Sequence, residues 1–514
     1  YVTLIPIPTK SIRNSVMNKQ LPAELSDLIP GRWIGQPPES ITNGFHQDSR
    51  EIQPGQGFVA LTCGERDGHD YVEDAASRGA SMALVERAVS GVAIPQYVVD
   101  SSMNSLVALQ LMANRWRERF PGSVIGITGS CGKTSTKELL THLLGEENTC
   151  MTPGNRNNLI GLPLTLTHLD TQRHQCAVVE AGINEPGEMS ALARILHPDI
   201  SLLTMIGRAH IEKLHTRENI AAEKSELMAQ SKSDSPVIMP KDCLSYEALR
   251  AYESRAILIS EQSSYDEDTY APQCLEEVVY QKEMNSKGDA RLRLRWEKAK
   301  REVFYVIPPL WGPGMISNAV LAIVTAYYVE CAEETMQERL LTWEPASQRG
   351  EWKGDDERLY YVDCYNANPE SYYEFFTVAR NLPAHSARLY ILGGMAELGE
   401  QSARLHWEVG KQLMLRSQDA AILVGDDTEY LQEGLLAAGN RAERLYRMSS
   451  TESIQRFIES FDGVVMLKGS RAWSLERTLP ETASPRKDPF RCDRSKTGQS
   501  SQSRNAEATQ TCAT

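Results

Sequence analysis

The sequence predicts an α/β protein of three parts organised around a loop that binds a triphosphate, and three observations carry that reading. At 514 residues the chain is too long for one core and suits about three domains of ~150 residues each. The stretch Ser123 to Gly145 reads as strand, glycine loop and helix. Val124-Ile125-Gly126-Ile127-Thr128 is apolar and β-branched, Leu139, Leu140, Leu143 and Leu144 recur at helical spacing, and Gly145 stops the run. Further on, three strands each empty into a polar loop, which together describe one ligand-facing edge.

Between that first strand and its helix stands Gly129-Ser130-Cys131-Gly132-Lys133-Thr134, followed by Ser135. Glycines let backbone N–H groups curl around a phosphate at the positive end of the helix. The lysine ammonium carries charge toward the outer phosphates, and the threonine hydroxyl can ligate Mg²⁺. A nucleoside triphosphate is the expected guest. The general pattern asks for glycine five residues before Gly132, where Ile127 stands, so the match is to the narrower form T-G-[ST]-x-G-K-[TS]. The competing reading, a glycine-rich turn with a chance lysine, is disfavoured by the strand before it and the helix after it.

Composition removes several classes of function. The net charge is −14 with no basic block, so nucleic acid is not expected as a partner, and an anionic substrate must be held by a few placed cations. Ten cysteines are scattered without C-x-x-C or zinc spacing, which argues against a disulfide framework or a structural metal and fits a reducing compartment. No run of 18 apolar residues and no signal-peptide pattern is found. A soluble cytoplasmic protein is expected. Residues 1–16 show no pattern and are taken as an N-terminal extension. Residues 481–514 are rich in Ser, Thr, Arg, Lys, Gln and Pro, and are expected to form a disordered tail.

Residues 17–118 form the first expected domain, with strands at Gly57–Leu61 and Ser81–Val85 around a helix at Tyr71–Gly79. Two polar clusters, Asp48-Ser49-Arg50 and Gly64 to His69, are either turn chemistry or part of a ligand site. The second domain, 119–345, continues past the phosphate loop into the amide-rich Thr152–Pro163, which includes Asn157 and Asn158 and either turns the chain or contacts ligand. Ala177-Val178-Val179-Glu180 is a buried-strand pattern ending in a carboxylate, where a metal bound to phosphate would sit. His210 follows the strand expected at Ile200–Ile206 and is either a structural hydrogen bonder or a metal ligand. Lys224 and Glu226 lie on a helix expected over Glu218–Gln230, by default a solvated face. Leu292–Trp296 alternates like a hairpin strand accessory to the sheet, and Asn318 lies near the start of an apolar helix expected over Ser317–Val329, where it caps the helix or reads an adenine edge. In the third domain, 346–480, the strands Leu359–Val362, Arg388–Leu392 and Val464–Leu467 lead into DCYNANP, GGMAELGE and KGSR.

Taken together, DSR, GERDGH, TGSCGKTS, TPGNRNNLIGLPLTL, EAGINEPGEM, HIEKLHTRENIAAEKSEL, YNANP, GGMAELGE with His406, and KGSR occur in an order that resembles the Mur ligases, ATP-dependent amide-bond-forming enzymes of peptidoglycan synthesis. YNANP and G-x-M-x-E-L-G are similar to the branch whose substrates are UDP-N-acetylmuramoyl-tripeptide and D-alanyl-D-alanine. The resemblance implies the three-domain Mur ligase architecture: a UDP-sugar-binding N-terminal domain, a central P-loop ATPase sheet and a C-terminal Rossmann-like domain. It further implies ATP and Mg²⁺ as cofactors and, in this reading, a monomer. By similarity, Gly129, Ser130, Gly132, Lys133, Thr134, Ser135, Asn318, Arg349 and Asp363 hold the nucleotide. Thr134, Glu180, His210 and Lys224 hold metal, with Lys224 carbamylated. Lys133, Glu180, His210 and Lys224 form the implied catalytic set, and Asp48, Ser49, Arg50, Asn157, Asn158, Tyr365, Asn366, Asn368, Lys468 and Arg471 face substrate. The chain departs from the family pattern at Met205 (usually Asn), Gly314 (His), Gly394 (Asp), and Val362 and Cys364 (Asp and Ser).

Overall fold

The computed structural model describes residues 17–41, 43–262, 272–284, 290–354 and 358–486; the extension expected over 1–16 and the tail beyond residue 486 lie outside the described residues. Three larger sheets follow one another along the chain. The first has five strands in the order Gly31–Ile34, Gln96–Val99, Met82–Val85, Gly57–Val59, Phe45–His46, all parallel except the Gly31–Ile34 edge. The helix Ser105–Arg119 leaves this part and reaches the next, where Arg117 pairs with Asp199 at 2.7 Å.

The central sheet has nine strands, and its phosphate-loop strand Ser123–Thr128 lies between Ile200–Leu203 and Cys176–Glu180, parallel to both. Strands buried on both faces read as continuous apolar runs, which is why the sequence showed no alternation here. Ile125 and Ile127 pack with Leu139, Leu140 and the helix Pro313–Tyr328, whereas Val124 packs with Leu192, Leu196 and Leu227 on the other face. The register sets Glu180 beside Ile127 and Leu203 beside Thr128, so the loops after all three strands emerge on one edge. The expected accessory hairpin extends this sheet: Ala290–Trp296 pairs antiparallel with Glu276–Met284 and Arg301–Ile307.

The third sheet has seven strands, with Val464–Lys468 between Leu359–Asp363 and Arg388–Gly393 in parallel. Asp363 and Lys468 are register partners at its carboxyl edge. Two expectations change. The apolar helix starts at Pro313, a turn earlier than Ser317, because proline's fixed φ suits the first helical position. Asn318 therefore lies inside the helix and does not cap it. Ser484–Pro485, within the stretch expected to be disordered, pairs antiparallel with Lys353 and Gly354 as an exposed edge.

Candidate active site

The phosphate loop is shaped by backbone that a side chain would obstruct. Gly129 has φ 149°, and a Cβ there would stand 1.9 Å from Thr204 Oγ1, so only glycine lets the loop cross the neighbouring strand end. Lys133 Nζ arcs back to donate to the Gly129 carbonyl at 2.7 Å; burial lowers its pKa while Glu180 opposes that shift. Thr134 Oγ1 donates to Glu180 Oε2 at 3.0 Å, and Asn157 Nδ2 donates to Glu180 Oε1 at 2.7 Å. The carboxylate is 2% exposed and so is held almost dry beside the loop.

Lys137, one helical turn after Lys133, belongs to the same cluster. Its buried ammonium lies 3.7 Å from Glu180 Oε2 and donates to the carbonyls of Thr152 and Gly154 at 2.9 and 2.8 Å. It thereby ties the amide-rich loop to the phosphate-loop helix. The i, i+4 spacing from Lys133 was the signal that could have found it. Lys224 is not on a solvated face: it is 0% exposed, and its Nζ has no hydrogen-bond partner among the described residues. Burial pushes its pKa well below the usual lysine value, and the nearby Lys133 adds to that shift.

Facing this loop, the third sheet presents its own cluster. Lys468, 1% exposed, donates to Asp363 Oδ2 at 3.0 Å and to the Asn366 carbonyl at 2.9 Å. Two guanidinium groups lie over the Tyr365 ring, Arg349 at 3.9 Å and Arg471 at 5.2 Å from its centre. His210 Nδ1 meets Glu397 Oε2 of the GGMAELGE loop at 2.7 Å, and that hydrogen bond holds the carboxyl below its usual pKa.

One cleft of about 700 Å³ is lined by residues from both sides. Ser130, Gly132, Lys133, Thr134, Ser135, Asn157, Glu180, His210 and Asn318 come from the central part; Arg349, Asp363, Tyr365, Asn366, Asn368 and Lys468 come from the third. Gly129, Lys224 and Arg471 do not line it: Gly129 accepts from Lys133, Lys224 lies near Lys133, and the exposed Arg471 lies over the Tyr365 ring. Asn158 does not line it; its Oδ1 accepts from the amides of Ile160 and Gly161 at the start of a helix. Asn368 does line it, but its side chain also caps the helix Pro369–Asn381 in a reciprocal pair with Ser371. Asp48, Ser49 and Arg50 lie outside the cleft. The Asp48 carboxylate accepts from Arg50 Nε at 2.9 Å, which drops its pKa to about 2. Next to them Arg156 bridges His46 at 2.9 Å and Glu51 at 2.8 Å, joining the first part to the amide-rich loop.

Four of the five family departures have local reasons. A Cβ at Gly394 would stand 3.0 Å from the Trp473 indole nitrogen, which donates to the Gly394 carbonyl, so Trp473 fills the space. A Cβ at Gly314 would meet the Glu374 carboxylate at 3.1 Å. Val362 is sheet core and Cys364 is buried with Sγ facing Glu476 at 3.8 Å, while Met205 lines the cleft and nothing in the structure explains its side chain. No pattern in the sequence pointed to Glu374 or Trp473, whose roles arise only from tertiary contact.

Among the described residues no three His, Cys, Asp or Glu side chains gather into a metal cluster, and no helix is long and apolar enough to cross a membrane.

Comparison with known proteins agrees with this geometry. Residues 127–326 match the Mur ligase middle domain, and residues 348–471 match the glutamate ligase domain of Mur ligases. The chain is 30% identical over 460 residues to the UDP-N-acetylmuramoyl-tripeptide–D-alanyl-D-alanine ligase of Treponema pallidum, covering 85% of this chain and 93% of that protein. Among solved structures, MurF from Acinetobacter baumannii superposes with a TM-score of 0.75 at 26% identity, covering 90% of this chain and 98% of that one. MurF ligase from Thermotoga maritima in complex with ADP superposes with a TM-score of 0.69 at 25% identity, covering 85% and 96%. With both domain matches falling on the two sides of the shared cleft, and with relatives aligned over nearly their whole length, the chain belongs to the Mur ligase family.

Proposed function

We propose that this chain joins D-alanyl-D-alanine to the free carboxyl of UDP-N-acetylmuramoyl-tripeptide, using one ATP for each amide bond. The supporting observation is the single cleft in which a phosphate loop faces a cationic and amide-rich loop cluster from the third sheet. The proteins it aligns with along their length carry that activity in their names. In this reading residues 17–118 take the UDP-sugar end, with Asp48, Ser49 and Arg50 on the uridine side, 119–345 take ATP, and 346–480 complete the site. A cytoplasmic location is part of the same reading, since the nucleotide-linked substrate is water-soluble, and a monomer is proposed with it.

The chemistry follows from leaving groups. A carboxylate cannot release oxide to an attacking amine. One carboxylate oxygen therefore attacks the γ-phosphorus, ADP departs, and an acyl phosphate results. The dipeptide amine then attacks the carbonyl carbon, loses a proton, and the tetrahedral intermediate expels inorganic phosphate. Such transfers are governed by positioning and by neutralisation of phosphate charge. Lys133 and the amides of Ser130 to Thr134 hold the β- and γ-phosphates, Asn318, Arg349 and Asp363 the rest of the nucleotide, and Tyr365, Asn366, Asn368, Lys468 and Arg471 the reacting ends of the substrates.

Thr134 and Glu180 suit one Mg²⁺: a hydroxyl and a carboxylate already adjacent at a phosphate loop, leaving phosphate and water oxygens to complete the shell, is how that ion is usually held. Bound there, Mg²⁺ neutralises charge on the phosphates. Lys224 and His210 suit a second oxygen- and nitrogen-ligated cation. A dry, neutral lysine amine can add to CO2, forming the N–C bond and losing one proton, and so become a carbamate. His210, with Nδ1 fixed by Glu397, has Nε2 left to ligate.

Phosphate release in the presence of ATP, Mg²⁺ and UDP-N-acetylmuramoyl-tripeptide tests the acceptor. Release stimulated by D-alanyl-D-alanine and not by D-alanine is expected. Equal stimulation by D-alanine, or by another amino acid alone, overturns the assignment in favour of a sister ligase.

A further inference from the structure

The third sheet docks on the central one through the helix Pro369–Asn381, which carries two carboxylates one turn apart, Glu370 and Glu374. Like charges at i, i+4 destabilise a lone helix, so such a pair needs donors elsewhere. Both are supplied by the central part. Glu370 Oε2 accepts the Arg208 amide at 3.3 Å, and its Oε1 lies 3.6 Å from the Arg208 guanidinium. Glu374 accepts the amides of Gly314 at 2.9 Å and Met315 at 3.3 Å, the free N–H groups at the start of the helix Pro313–Tyr328. That helix also carries Asn318, whose side chain lies against Gly132 of the phosphate loop.

A carboxylate at a helix N-terminus meets both orphan donors and the positive end of the helix dipole. Here the cap comes from a helix of the third domain, 60 residues away in sequence. The glycines at the helix start make room for it. A Cβ at Gly312 would stand 2.3 Å from Glu374 Oε1, although its φ of −77° suits any residue, so glycine is kept there for space and not for conformation. Lys282, which donates to the carbonyls of Pro309 and Trp311 at 2.7 and 2.9 Å, fixes the segment leading into this helix start. Both Gly312 and Glu374 line the catalytic cleft.

We propose that Glu374 is a positioning residue for the ligase reaction: by capping the helix that begins at Pro313 it seats the third domain, and with it Arg349, Asp363 and Lys468, over the nucleotide. It acts on substrate only through that seating. Its turnover readout rests on the ligase reading, whereas its closure readout, small-angle scattering of the full chain with a non-hydrolysable MgATP analogue, does not.

The test compares Glu374→Ala, Gly312→Ala and the double variant. Two charge-assisted hydrogen bonds are lost in each, so kcat is expected to fall about 10- to 100-fold while KM for the UDP substrate stays unchanged. The radius of gyration with the MgATP analogue should rise in both single variants, and the double variant should be no worse than either. Glu374→Gln, which keeps one acceptor oxygen, should give an intermediate loss, and it carries the test if Glu374→Ala melts early. Wild-type kcat and scattering in Glu374→Ala, an unaffected Gly312→Ala beside an impaired Glu374→Ala, additive losses in the double variant, or a kcat loss without expansion would each overturn the proposal. Absence of any acceptor-dependent turnover in the wild type, with the scattering differences intact, would instead count against the ligase reading alone.

Discussion

Replacing Lys224 by methionine should make the protein more stable and nearly inactive. In protein freed of CO2, where Lys224 is an amine and not a carbamate, its side-chain nitrogen is fully buried without a hydrogen-bond partner among the described residues. An unsatisfied buried polar group costs about 1–3 kcal/mol, and methionine fills a similar volume without that cost. At roughly 2–4 °C per kcal/mol for a domain of this size, the central transition should rise by roughly 2–12 °C. The pH dependence has a definite sign. Burial holds the folded-state pKa well below the usual lysine value of 10.5. Between those two values the unfolded chain binds one proton more than the folded one, so wild-type stability gained from this site rises with pH, by at most about 1.4 kcal/mol per unit. The advantage of Lys224→Met is therefore largest at low pH and shrinks as pH approaches the unfolded value. Calorimetry of both proteins between about pH 6 and about pH 9 reads this difference. With bicarbonate and Mg²⁺ restored, phosphate release should fall more than about a hundredfold relative to wild type, as for loss of a metal-site group. A less stable Lys224→Met, or one with full turnover, refutes the neutral-amine and carbamate reasoning.

Other perturbations separate the parts of the site. Lys133→Ala should abolish ATP-dependent phosphate release while UDP-substrate binding, measured by titration calorimetry, stays intact; equal loss of both would contradict the division of labour between the first and second domains. Tyr365→Phe should keep activity because the ring that Arg349 and Arg471 lie over remains. Tyr365→Ala should lose about 0.5–2 kcal/mol, roughly 2- to 30-fold in kcat/KM, and equal behaviour of the two variants would deny the stacking role. Gly394→Asp, which restores the usual family residue, should destabilise the third domain by about 1–3 kcal/mol and shift the Trp473 fluorescence, because its Cβ meets the indole at 3.0 Å. An unchanged melting curve would show that the loop yields freely.

Much of this site was legible before the fold was known because phosphate binding leaves a local signature. A strand, two glycines, a lysine and a helix lie within some twenty residues, and a strand-end carboxylate such as Glu180 is marked by the apolar run before it. The roles of Asn158 and Lys224 were not legible in that way. Asn158 caps a helix that shares its polar loop, and Lys224 looked solvated because its helix is charged on most faces, while burial is decided by the helices and strands packed on it. Glu374 and Trp473 act across gaps of about 60 and 80 residues, and no periodicity carries such a contact. The helix start at Pro313 was readable from proline's fixed φ, yet the glycines around it suggested a turn.

The central claim is that the γ-phosphoryl group passes through the substrate's own carboxylate, and oxygen-18 placed in that carboxylate follows it directly. With labelled UDP-N-acetylmuramoyl-tripeptide, ATP, Mg²⁺ and D-alanyl-D-alanine, mass spectrometry of the released phosphate should find one carboxylate oxygen in each phosphate for each amide bond made. Phosphate carrying only solvent and ATP oxygens, alongside formed product, would contradict an acyl phosphate and the role assigned to the cleft.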